Sequence, residues 1–170
     1  MLETLETERL ILRKLTKNDA EAMYFGWCND PEVTKYVTWE VHKDISETKA
    51  LLDLWMKEYE DPKTVRFGIV LKSENKLIGA IDVVEIVDGV PEIGYTLSRA
   101  YWRQGYMSEA CKKVVDYLFS IGYKKITIRA EFENVASNRV IIKCGFKFVD
   151  IVHIHEPREA VVNVYELEKK

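Results

Sequence analysis

The chain has 170 residues, a length that suits one domain with a sizeable core, and we expect a single domain over residues 1–170. Hydrophobic residues make up 47% and charged residues 31% of the chain, which is the composition of a globular protein. The net charge is −3 with both signs intermixed, so a broad basic face is excluded and no nucleic-acid partner is expected.

Hydropathy and cysteine content favour a cytoplasmic protein. The sequence has no run of 18 apolar residues, so we expect no membrane span. The opening MLETLETERLILRK is acidic before it is apolar, unlike a signal peptide. Cys28, Cys111 and Cys144 lie far apart and form no Cys-x-x-Cys pair, so neither a disulfide framework nor a zinc site is expected.

The first elements in the chain are a predicted strand and a predicted helix. Residues 9–15 alternate like a strand, and residues 16–30 follow with helical periodicity. Thr16 and Asp19 resemble a capping box at the start of this helix. Asp30-Pro31 ends the helix and begins a short turn-like piece. The predicted buried stripe consists of Ala20, Met23 and Trp27.

A second helix is predicted over residues 46–60, with Ser46 as its N-cap. Asp61-Pro62 breaks the chain after it, because proline cannot continue a helix. The pattern places one apolar face of this helix against the rest of the protein. That face is predicted to consist of Leu51, Leu54, Trp55 and Tyr59.

Three strands follow and should form an antiparallel meander. They are predicted over residues 65–71, 77–84 and 92–98. A short polar link joins the first two strands. Asp88-Gly89 lies between the second and third strands and is a strong hairpin signal, because both residues tolerate a left-handed backbone.

The second half of the chain predicts a long helix, a strand, a short helix and a final hairpin. The long helix begins within WRQGYMS and ends at Gly122. A strand covers residues 125–132, a short helix covers 137–145, and strands over 146–154 and 160–168 close the chain. The buried face of the long helix is predicted to consist of Met107, Ala110, Cys111, Val114, Val115 and Leu118.

The predicted order is therefore β-α-α-β-β-β-α-β-α-β-β. The strand over residues 92–98, the long helix and the strand over 125–132 make a crossover unit, so these two strands should be parallel. The result is an α+β fold, an α/β mixed sheet with helices on both faces.

The loop WRQGYMS before the long helix is the leading candidate for a binding site. The first turn of a helix has free N–H groups and the positive end of the helix dipole, which together attract anions. Gly105 allows close backbone approach and Arg103 supplies a cation, so the amides of this loop could surround a pyrophosphate. An ordinary helix start is the alternative interpretation of the same residues.

Three stretches together resemble a known family. EIGYTLSRAYWRQGYMSEA, followed further along by ENVASNRVIIKCGF, is similar to the GNAT superfamily of N-acetyltransferases. The opening LETERLILRKLTKNDAEAMYFGWCNDPEVTKYVTW resembles the branch that includes the ribosomal-protein alanine acetyltransferases. The resemblance spans roughly residues 5–168. It implies the GNAT-like acyl-CoA N-acyltransferase fold and acetyl-CoA as cosubstrate.

The resemblance also implies which residues hold the cofactor. Gly105 matches the first glycine of the family's pyrophosphate loop, whereas Trp102 and Met107 depart from its pattern. Main-chain amides do most of the binding there, so such departures are tolerable. The implied loop residues are Arg103, Gln104, Gly105, Tyr106, Met107 and Ser108. The end of the preceding strand, Thr96, Leu97 and Ser98, matches the segment that pairs with the pantetheine arm.

A second matching segment lies around the last predicted helix. Asn134 matches the family asparagine that hydrogen-bonds the arm of the cofactor. Ser137 and Arg139 lie in the same N-x-x-S-x-R match and are implied neighbours of the cofactor.

The implied mechanism is direct attack of a primary amine on the thioester. The amine must first lose a proton, and Glu92 is our preferred base, acting directly or through a water. A solvent-facing carboxylate without a role is the alternative, and Glu131 and Glu133 are rival bases. A backbone N–H near Leu97 would stabilise the oxyanion.

A dedicated acid is less clearly marked in the sequence. Many family members have a tyrosine where this chain has Ile141, so either Ser137 protonates the thiolate or the thiolate leaves unaided.

The acceptor is expected to be a primary amine, and the branch resemblance points to a protein N-terminal alanine. A polyamine, an amino acid or an aminoglycoside is the first alternative, and a weakly catalytic CoA-binding module is the second. Trp39, His42 and Glu131 are the candidate acceptor contacts.

His153 and His155 lack a third ligand nearby, so no metal is expected. The oligomeric state stays open.

Overall fold

The computed structural model describes residues 2–170, and within them eight strands form one sheet in the order β1-β2-β3-β4-β5-β6-β8-β7. The seven strands that the sequence predicts are all present, and the short strand β1 is an addition to them. The strands are β1 (Leu5–Glu6), β2 (Leu10–Arg13), β3 (Arg66–Leu71), β4 (Lys76–Val87), β5 (Val90–Leu97), β6 (Lys125–Glu131), β7 (Lys147–Ile154) and β8 (Ala160–Glu168).

Five α-helices are present in the described residues. Short 3₁₀ turns at Lys17–Asp19 and Arg99–Tyr101 precede α1 and α4, respectively. None of the helices in residues 2–170 has the length and apolarity needed to cross a membrane. The helices are α1 (Ala20–Met23), α2 (Pro31–Thr34), α3 (Ile45–Glu58), α4 (Tyr106–Ser120) and α5 (Val135–Lys143).

The predicted α+β class and the mixed sheet are confirmed. β5 and β6 run parallel, with Glu92 beside Thr127 and Ile93 beside Ile128, as the crossover through α4 requires. The final hairpin pairs β7 with β8 in antiparallel fashion. β8, the last strand in the chain, is the one that lies beside β6.

The described residues divide into two compact units. One comprises the residues up to Asp82 together with Tyr95–Tyr106, and the other comprises Val83–Gly94 and Met107–Lys170. The division cuts both β4 and β5, because each strand supplies residues to both units. The single domain over residues 1–170 stays a prediction.

Each unit has its own set of buried apolar side chains. In the first unit, the stripe predicted for the first helix is confirmed, since Ala20, Met23 and Trp27 are all buried in one core cluster. In the second unit, all six apolar residues predicted for the long helix are buried. The core cluster of the first unit consists of Leu15, Ala20, Met23, Trp27, Cys28, Val33, Leu52, Val70, Leu77 and Ala80.

The first predicted helix is present but changes its winding along its length. The capping box is confirmed, since the Asp19 carboxylate accepts from the Thr16 amide at 2.8 Å. After α1 the chain continues as a π-turn over Tyr24–Cys28, a winding that is uncommon and often marks functional segments. The turn-like piece predicted after Asp30 is the single-turn helix α2.

The predicted N-cap of the second helix was wrong, and its predicted buried face was only partly right, since Leu51, Trp55 and Tyr59 are partly buried but Leu54 is exposed. Asp44, not Ser46, is the N-cap of α3, and its carboxylate accepts from the Ser46 amide at 3.0 Å. The Glu47 carboxylate bonds back to the Asp44 amide at 3.2 Å, which completes a capping box.

The buried face of α3 includes Thr48 and Leu52. Leu54, by contrast, is 53% exposed. Steps of four and three residues connect 48 with 52 and 55, and Leu54 lies off that stripe.

The N-cap assignment predicts a stability difference between two neighbouring substitutions. Asp44→Ala should lower the free energy of unfolding by about 1 kcal/mol, because it removes an acceptor from the first turn of α3. Ser46→Ala should change it by less than about 0.5 kcal/mol, since the serine hydroxyl does not cap the helix. Urea unfolding followed by circular dichroism measures both. A larger loss for Ser46→Ala would contradict the assignment.

Candidate active site

The loop between β5 and α4, residues 98–105, has an unusual backbone. Arg103 and Gly105 both adopt left-handed conformations, with φ of 64° and 80°. A left-handed residue next to a right-handed one can turn both N–H groups toward a common concavity, which is an arrangement suited to anions. Gly105 supplies its conformation without steric cost, whereas Arg103 adopts it against the preference of a side-chain-bearing residue.

Two hydrogen bonds anchor this 98–105 loop to the sheet of the first unit. The Ser98 amide donates to the Ile78 carbonyl at 2.8 Å. The indole N–H of Trp102 donates to the Leu97 carbonyl at 2.8 Å, and its ring packs against the core cluster of the first unit. Trp102, which departs from the family pattern, is thus a structural anchor of the loop.

The end of β5 depends on a glycine in the adjacent strand β4. A Cβ placed on Gly79 would lie 2.5 Å from the Thr96 carbonyl oxygen and 3.2 Å from the Leu97 Cα. These are backbone atoms that cannot rotate away. Only glycine therefore lets β4 approach β5 this closely, and the approach fixes where Thr96 and Leu97 present their main-chain groups.

Side chains of the predicted pyrophosphate loop differ in their exposure. Met107 and Ser108 are buried, and the Gln104 amide group donates to the Ala100 carbonyl at 3.3 Å. Arg103 is exposed. The first N–H groups of α4 have no carbonyl one turn earlier to bind. The loop thus offers main-chain donors, as the sequence led us to expect, and its contact with a cofactor stays a prediction.

The carboxylate preferred as the base lies in the second unit. Glu92 is on β5, beside Thr127 of β6, and its side chain is 19% exposed. Its Oε1 lies 3.4 Å from the Arg129 Nε. Burial raises the pKa of the Glu92 carboxyl, Arg129 opposes this shift, and Glu85 adds to it. A carboxylate with a raised pKa is a better proton acceptor near neutral pH than an ordinary surface glutamate.

The two rival bases differ in their surroundings. Glu131 at the end of β6 is 11% exposed and forms an ion pair with Arg158 from the link between β7 and β8. That contact engages the carboxylate that was predicted to touch the acceptor or to act as the base. Glu133 is exposed on the turn before α5. Glu92 is partly buried, has a raised pKa and stays our preferred base.

The second matching segment folds around the start of α5. The helix begins at Val135, so the start predicted at residue 137 was wrong, and Asn134 is its N-cap. The Asn134 Oδ1 accepts from the Ser137 amide at 3.2 Å, which leaves the Nδ2 group of this side chain to donate to a ligand. Ser137 therefore sits in the first helical turn. Arg139 is exposed on the same helix.

Asn138 is a site residue that the sequence reasoning missed. Its Nδ2 donates to the main-chain carbonyls of Glu131 at 3.0 Å and Asn134 at 2.8 Å. Its Oδ1 accepts from Asn163 Nδ2 at 3.0 Å and from the Tyr165 hydroxyl at 2.6 Å. Asn138 thus ties the start of α5 to β6 and β8. Its place between Ser137 and Arg139, inside the N-x-x-S-x-R match, was the available signal.

The two candidate acceptor residues of the first unit lie together. The rings of Trp39 and His42 have centroids 5.4 Å apart. The His42 Nδ1 is 2.7 Å from the hydroxyl of the buried Thr48. Burial lowers the pKa of His42 although Glu47 opposes the shift, so the neutral imidazole predominates at pH 7. Their contact with an acceptor stays a prediction.

The histidines near the chain end do not form a metal site with each other. His153 is exposed on β7, and the His155 Nδ1 contacts the Glu159 carboxylate at 2.8 Å. Within residues 2–170, no group of three or more potential ligands is arranged to hold a metal ion.

Comparison with known proteins supports the resemblance seen in the sequence. The acetyltransferase (GNAT) domain family matches residues 9–147. The N-acetyltransferase YoaA of Bacillus subtilis is 37% identical over 150 residues, covering 86% of this chain and 84% of that protein.

Solved structures share the fold at low sequence identity. A ribosomal-protein alanine acetyltransferase from Vibrio fischeri has a TM-score of 0.84 at 18% identity, covering 98% of this chain and 96% of the other. The microcin C7 self-immunity acetyltransferase MccE, solved with acetyl-CoA and AMP, has a TM-score of 0.84 at 20% identity, covering 96% and 94%. At these identities the likeness shows the fold.

The chain therefore belongs to the GNAT acetyltransferase family, and it is an N-acetyltransferase. The predicted family and enzyme class are confirmed.

The close approach at Gly79 predicts a local and costly effect of substitution. Gly79→Ala should lower the free energy of unfolding by about 1–3 kcal/mol, because the added methyl group forces β4 and the end of β5 apart. Gly26→Ala is the matched control, since a Cβ there meets no atom within 4 Å. It should leave stability unchanged or raise it slightly. Equal stability of Gly79→Ala and the parent protein in urea unfolding would contradict the steric argument.

Proposed function

We propose that the protein transfers the acetyl group of acetyl-CoA to a primary amine by direct attack in a ternary complex, with Glu92 as the general base. Acetyl-CoA dependence follows from membership of the GNAT family. The observation that carries the catalytic assignment is the partly buried Glu92 carboxylate, whose pKa burial raises although the nearby Arg129 opposes the shift.

Donor binding is proposed to rely on main-chain groups. The amides of residues 103–108 would hold the pyrophosphate at the start of α4, where the dipole favours negative charge. Thr96, Leu97 and Ser98 would pair with the pantetheine arm as an added strand does. The Asn134 Nδ2 would donate to the same arm, and Arg139 would lie near the cofactor. The left-handed Arg103 and Gly105 support the first of these roles.

The proposed chemistry proceeds through one tetrahedral intermediate. The substrate ammonium first gives a proton to Glu92, directly or through a water, and the resulting neutral amine attacks the thioester carbonyl carbon. The attacking nitrogen releases its second proton to solvent as the amide forms. A backbone N–H near Leu97 would stabilise the oxyanion. As the carbonyl re-forms, the carbon–sulfur bond breaks and CoA leaves with the electron pair.

The proton for the departing sulfur is assigned to Ser137 or to no protein group. Ser137 lies in the first turn of α5, whose position Asn138 fixes. Ile141, at the position of the family tyrosine, is fully buried, and its hydrocarbon side chain cannot act as a proton donor. A thiol has a modest pKa, so unaided departure of the thiolate is also consistent with the chemistry.

Replacing the Glu92 carboxylate should reduce turnover without reducing the affinity for CoA. Glu92→Gln should lower kcat by about 10²–10⁴-fold, because the ammonium of the substrate then lacks a proton acceptor. The affinity for CoA, measured by calorimetry, should stay within twofold of the parent, roughly the scatter of such titrations. Unchanged kcat would remove Glu92 from the mechanism. CoA binding without acetylation of any amine by the parent protein would favour the weakly catalytic module.

Replacing the two charged neighbours of Glu92, Arg129 and Glu85, should shift the acidic limb of the pH profile of kcat/KM in opposite directions. Arg129→Gln removes a cation that lowers the pKa of Glu92, so the acidic limb of kcat/KM should move to higher pH. Glu85→Gln removes a like charge, so the limb should move to lower pH. The base acts only when ionised, and activity is therefore lost as pH falls through this pKa.

Lys125→Gln is the matched control for these profiles. It removes a cation from the same strand, but Lys125 pairs with Glu166 and Glu168 rather than with Glu92. Its acidic limb should coincide with that of the parent protein. Shifts of the same sign in Arg129→Gln and Glu85→Gln would contradict the assignment.

We propose a protein N-terminal alanine as the acceptor. Support comes from the structural likeness to the Vibrio fischeri ribosomal-protein alanine acetyltransferase and from the sequence resemblance to that branch. The neutral His42 and Trp39 would line a groove for an uncharged peptide segment. The likeness to MccE keeps a small-molecule amine as the second candidate.

The acceptor is tested by a screen that reports release of free CoA. The panel contains peptides beginning with alanine, the same peptides with a blocked N-terminus, polyamines, free amino acids and aminoglycosides. We expect the unblocked alanine peptides to give the highest kcat/KM, and Trp39→Ala to raise their KM by about tenfold, the effect of losing a large apolar contact. Preference for a small amine would overturn the acceptor proposal while leaving the transfer mechanism intact.

The cellular setting that we propose is the cytoplasm. The three cysteines are free and buried, which suits a reducing compartment.

A further inference from the structure

We infer that Arg9, on the turn between β1 and β2, is a positioning residue for the loop that binds the pyrophosphate of the cofactor. This inference rests on the proposed role of the 98–105 loop. The Arg9 Nη1 donates to the Gln104 carbonyl at 3.0 Å. The same guanidinium lies over the Tyr106 ring, with its Cζ 4.3 Å from the ring centroid. One side chain therefore contacts the residues on both sides of Gly105.

The backbone of Arg9 is itself well fixed within the first unit. Its carbonyl accepts from the Lys72 amide at 2.9 Å. Next to it, the Thr7 amide donates to the Leu10 carbonyl at 2.9 Å, and the Leu10 amide donates to the Thr7 hydroxyl at 3.0 Å. Arg9 thus reaches the loop from a turn that is tied to the residue directly after β3, so the contact can hold the loop in place.

The hydrogen bond to Gln104 determines where one amide of the loop points. In a planar trans peptide the C=O and the following N–H point in opposite directions. Since the Gln104 carbonyl points toward Arg9, the N–H of Gly105 points away from it. Arg9 therefore turns this donor to the face opposite its own side chain, where a bound phosphate would accept from it together with the first amides of α4.

Arginine suits this task better than lysine. Its planar guanidinium donates in its plane while one flat face rests on the ring of Tyr106. A lysine ammonium has no flat face and must choose between the carbonyl and the ring. A Cβ on Gly105 would lie 3.4 Å from the Arg9 Nη2, an ordinary van der Waals distance, so the left-handed backbone and not this contact favours glycine there.

The test compares ligands with and without a pyrophosphate. Arg9→Met removes the donor and keeps an apolar chain of similar length, Arg9→Lys keeps the charge, and Lys17→Gln is a control that removes one exposed cation paired with Asp53. The dissociation constant of CoA is measured by calorimetry. KM and kcat are measured with acetyl-CoA and with S-acetylpantetheine, which lacks the pyrophosphate.

We expect Arg9→Met to weaken CoA binding by roughly 10- to 100-fold, the effect of losing a hydrogen bond from a charged group. KM for acetyl-CoA should rise in parallel, while KM for S-acetylpantetheine and kcat with either donor should stay within twofold, about the precision of the assay. Arg9→Lys should weaken CoA binding by a smaller factor, and Lys17→Gln should not change it. If Arg9→Met fails to fold, the smaller, CoA-selective loss in Arg9→Lys still supports the inference.

Two outcomes would overturn the inference. The first is CoA affinity in a folded Arg9→Met protein that equals that of the parent. The second is an equal rise of KM for acetyl-CoA and S-acetylpantetheine, which would indicate a general structural role. A parent protein that does not bind CoA would overturn the proposed donor site itself, and this result is distinct from both.

Discussion

The proposed donor site depends on the backbone conformation of Arg103 and Gly105, which lie directly before α4. Both residues are left-handed, and the helix begins at Tyr106. Such a backbone exposes main-chain N–H groups at the positive end of the helix dipole. A phosphate held in this way makes few demands on side chains. The family pattern can therefore change at Trp102 and Met107 without loss of the donors.

The conformation of this loop is held from several directions within the first unit. Trp102 bonds back to the Leu97 carbonyl, and Gly79 lets β4 approach the end of β5. In our account Arg9 adds a third restraint from the turn before β2. Each restraint acts on the backbone rather than on a ligand. Donors that are already oriented lose little entropy when a ligand binds, which is the physical advantage of such a site.

In the second unit, the arrangement of charges distinguishes one carboxylate from its neighbours. Glu131 is ion-paired with Arg158, whereas Glu92 has a raised pKa because burial outweighs the opposing effect of Arg129. Asn138 uses both ends of its amide to join α5 to β6 and β8. The side chains of α5 proposed to meet the cofactor and the leaving group therefore stand on a fixed helix.

Periodic and turn-marked features were predictable from the sequence. The buried face of α4, the hairpin at Asp88-Gly89 and the parallel pair β5 and β6 follow from spacing and turn chemistry, and all are present. Helix starts were predicted less accurately, because neighbouring polar residues can each serve as the N-cap. Asp44 and Ser46 are both good N-caps, and only the fold decides between them.

Long-range contacts explain why other parts of the site were missed. Arg9 is 95 residues from Gln104 in the sequence, and no local pattern links them. The ion pair of Glu131 with Arg158 and the bonds of Asn138 to Asn163 and Tyr165 have the same origin. The family motifs predicted the pyrophosphate loop but not the long-range contacts that hold it in place.

Amide hydrogen exchange with and without CoA tests the central claim most directly. The first amides of α4 have no helical acceptor, so in the free protein they should exchange rapidly. Bound CoA should slow exchange at residues 103–108 and, through the added-strand pairing, at 96–98. The amides of the hairpin turn at Asp88 and Gly89 should not change. Slowed exchange elsewhere, with residues 103–108 unaffected by saturating CoA, would contradict a main-chain phosphate site at the start of α4.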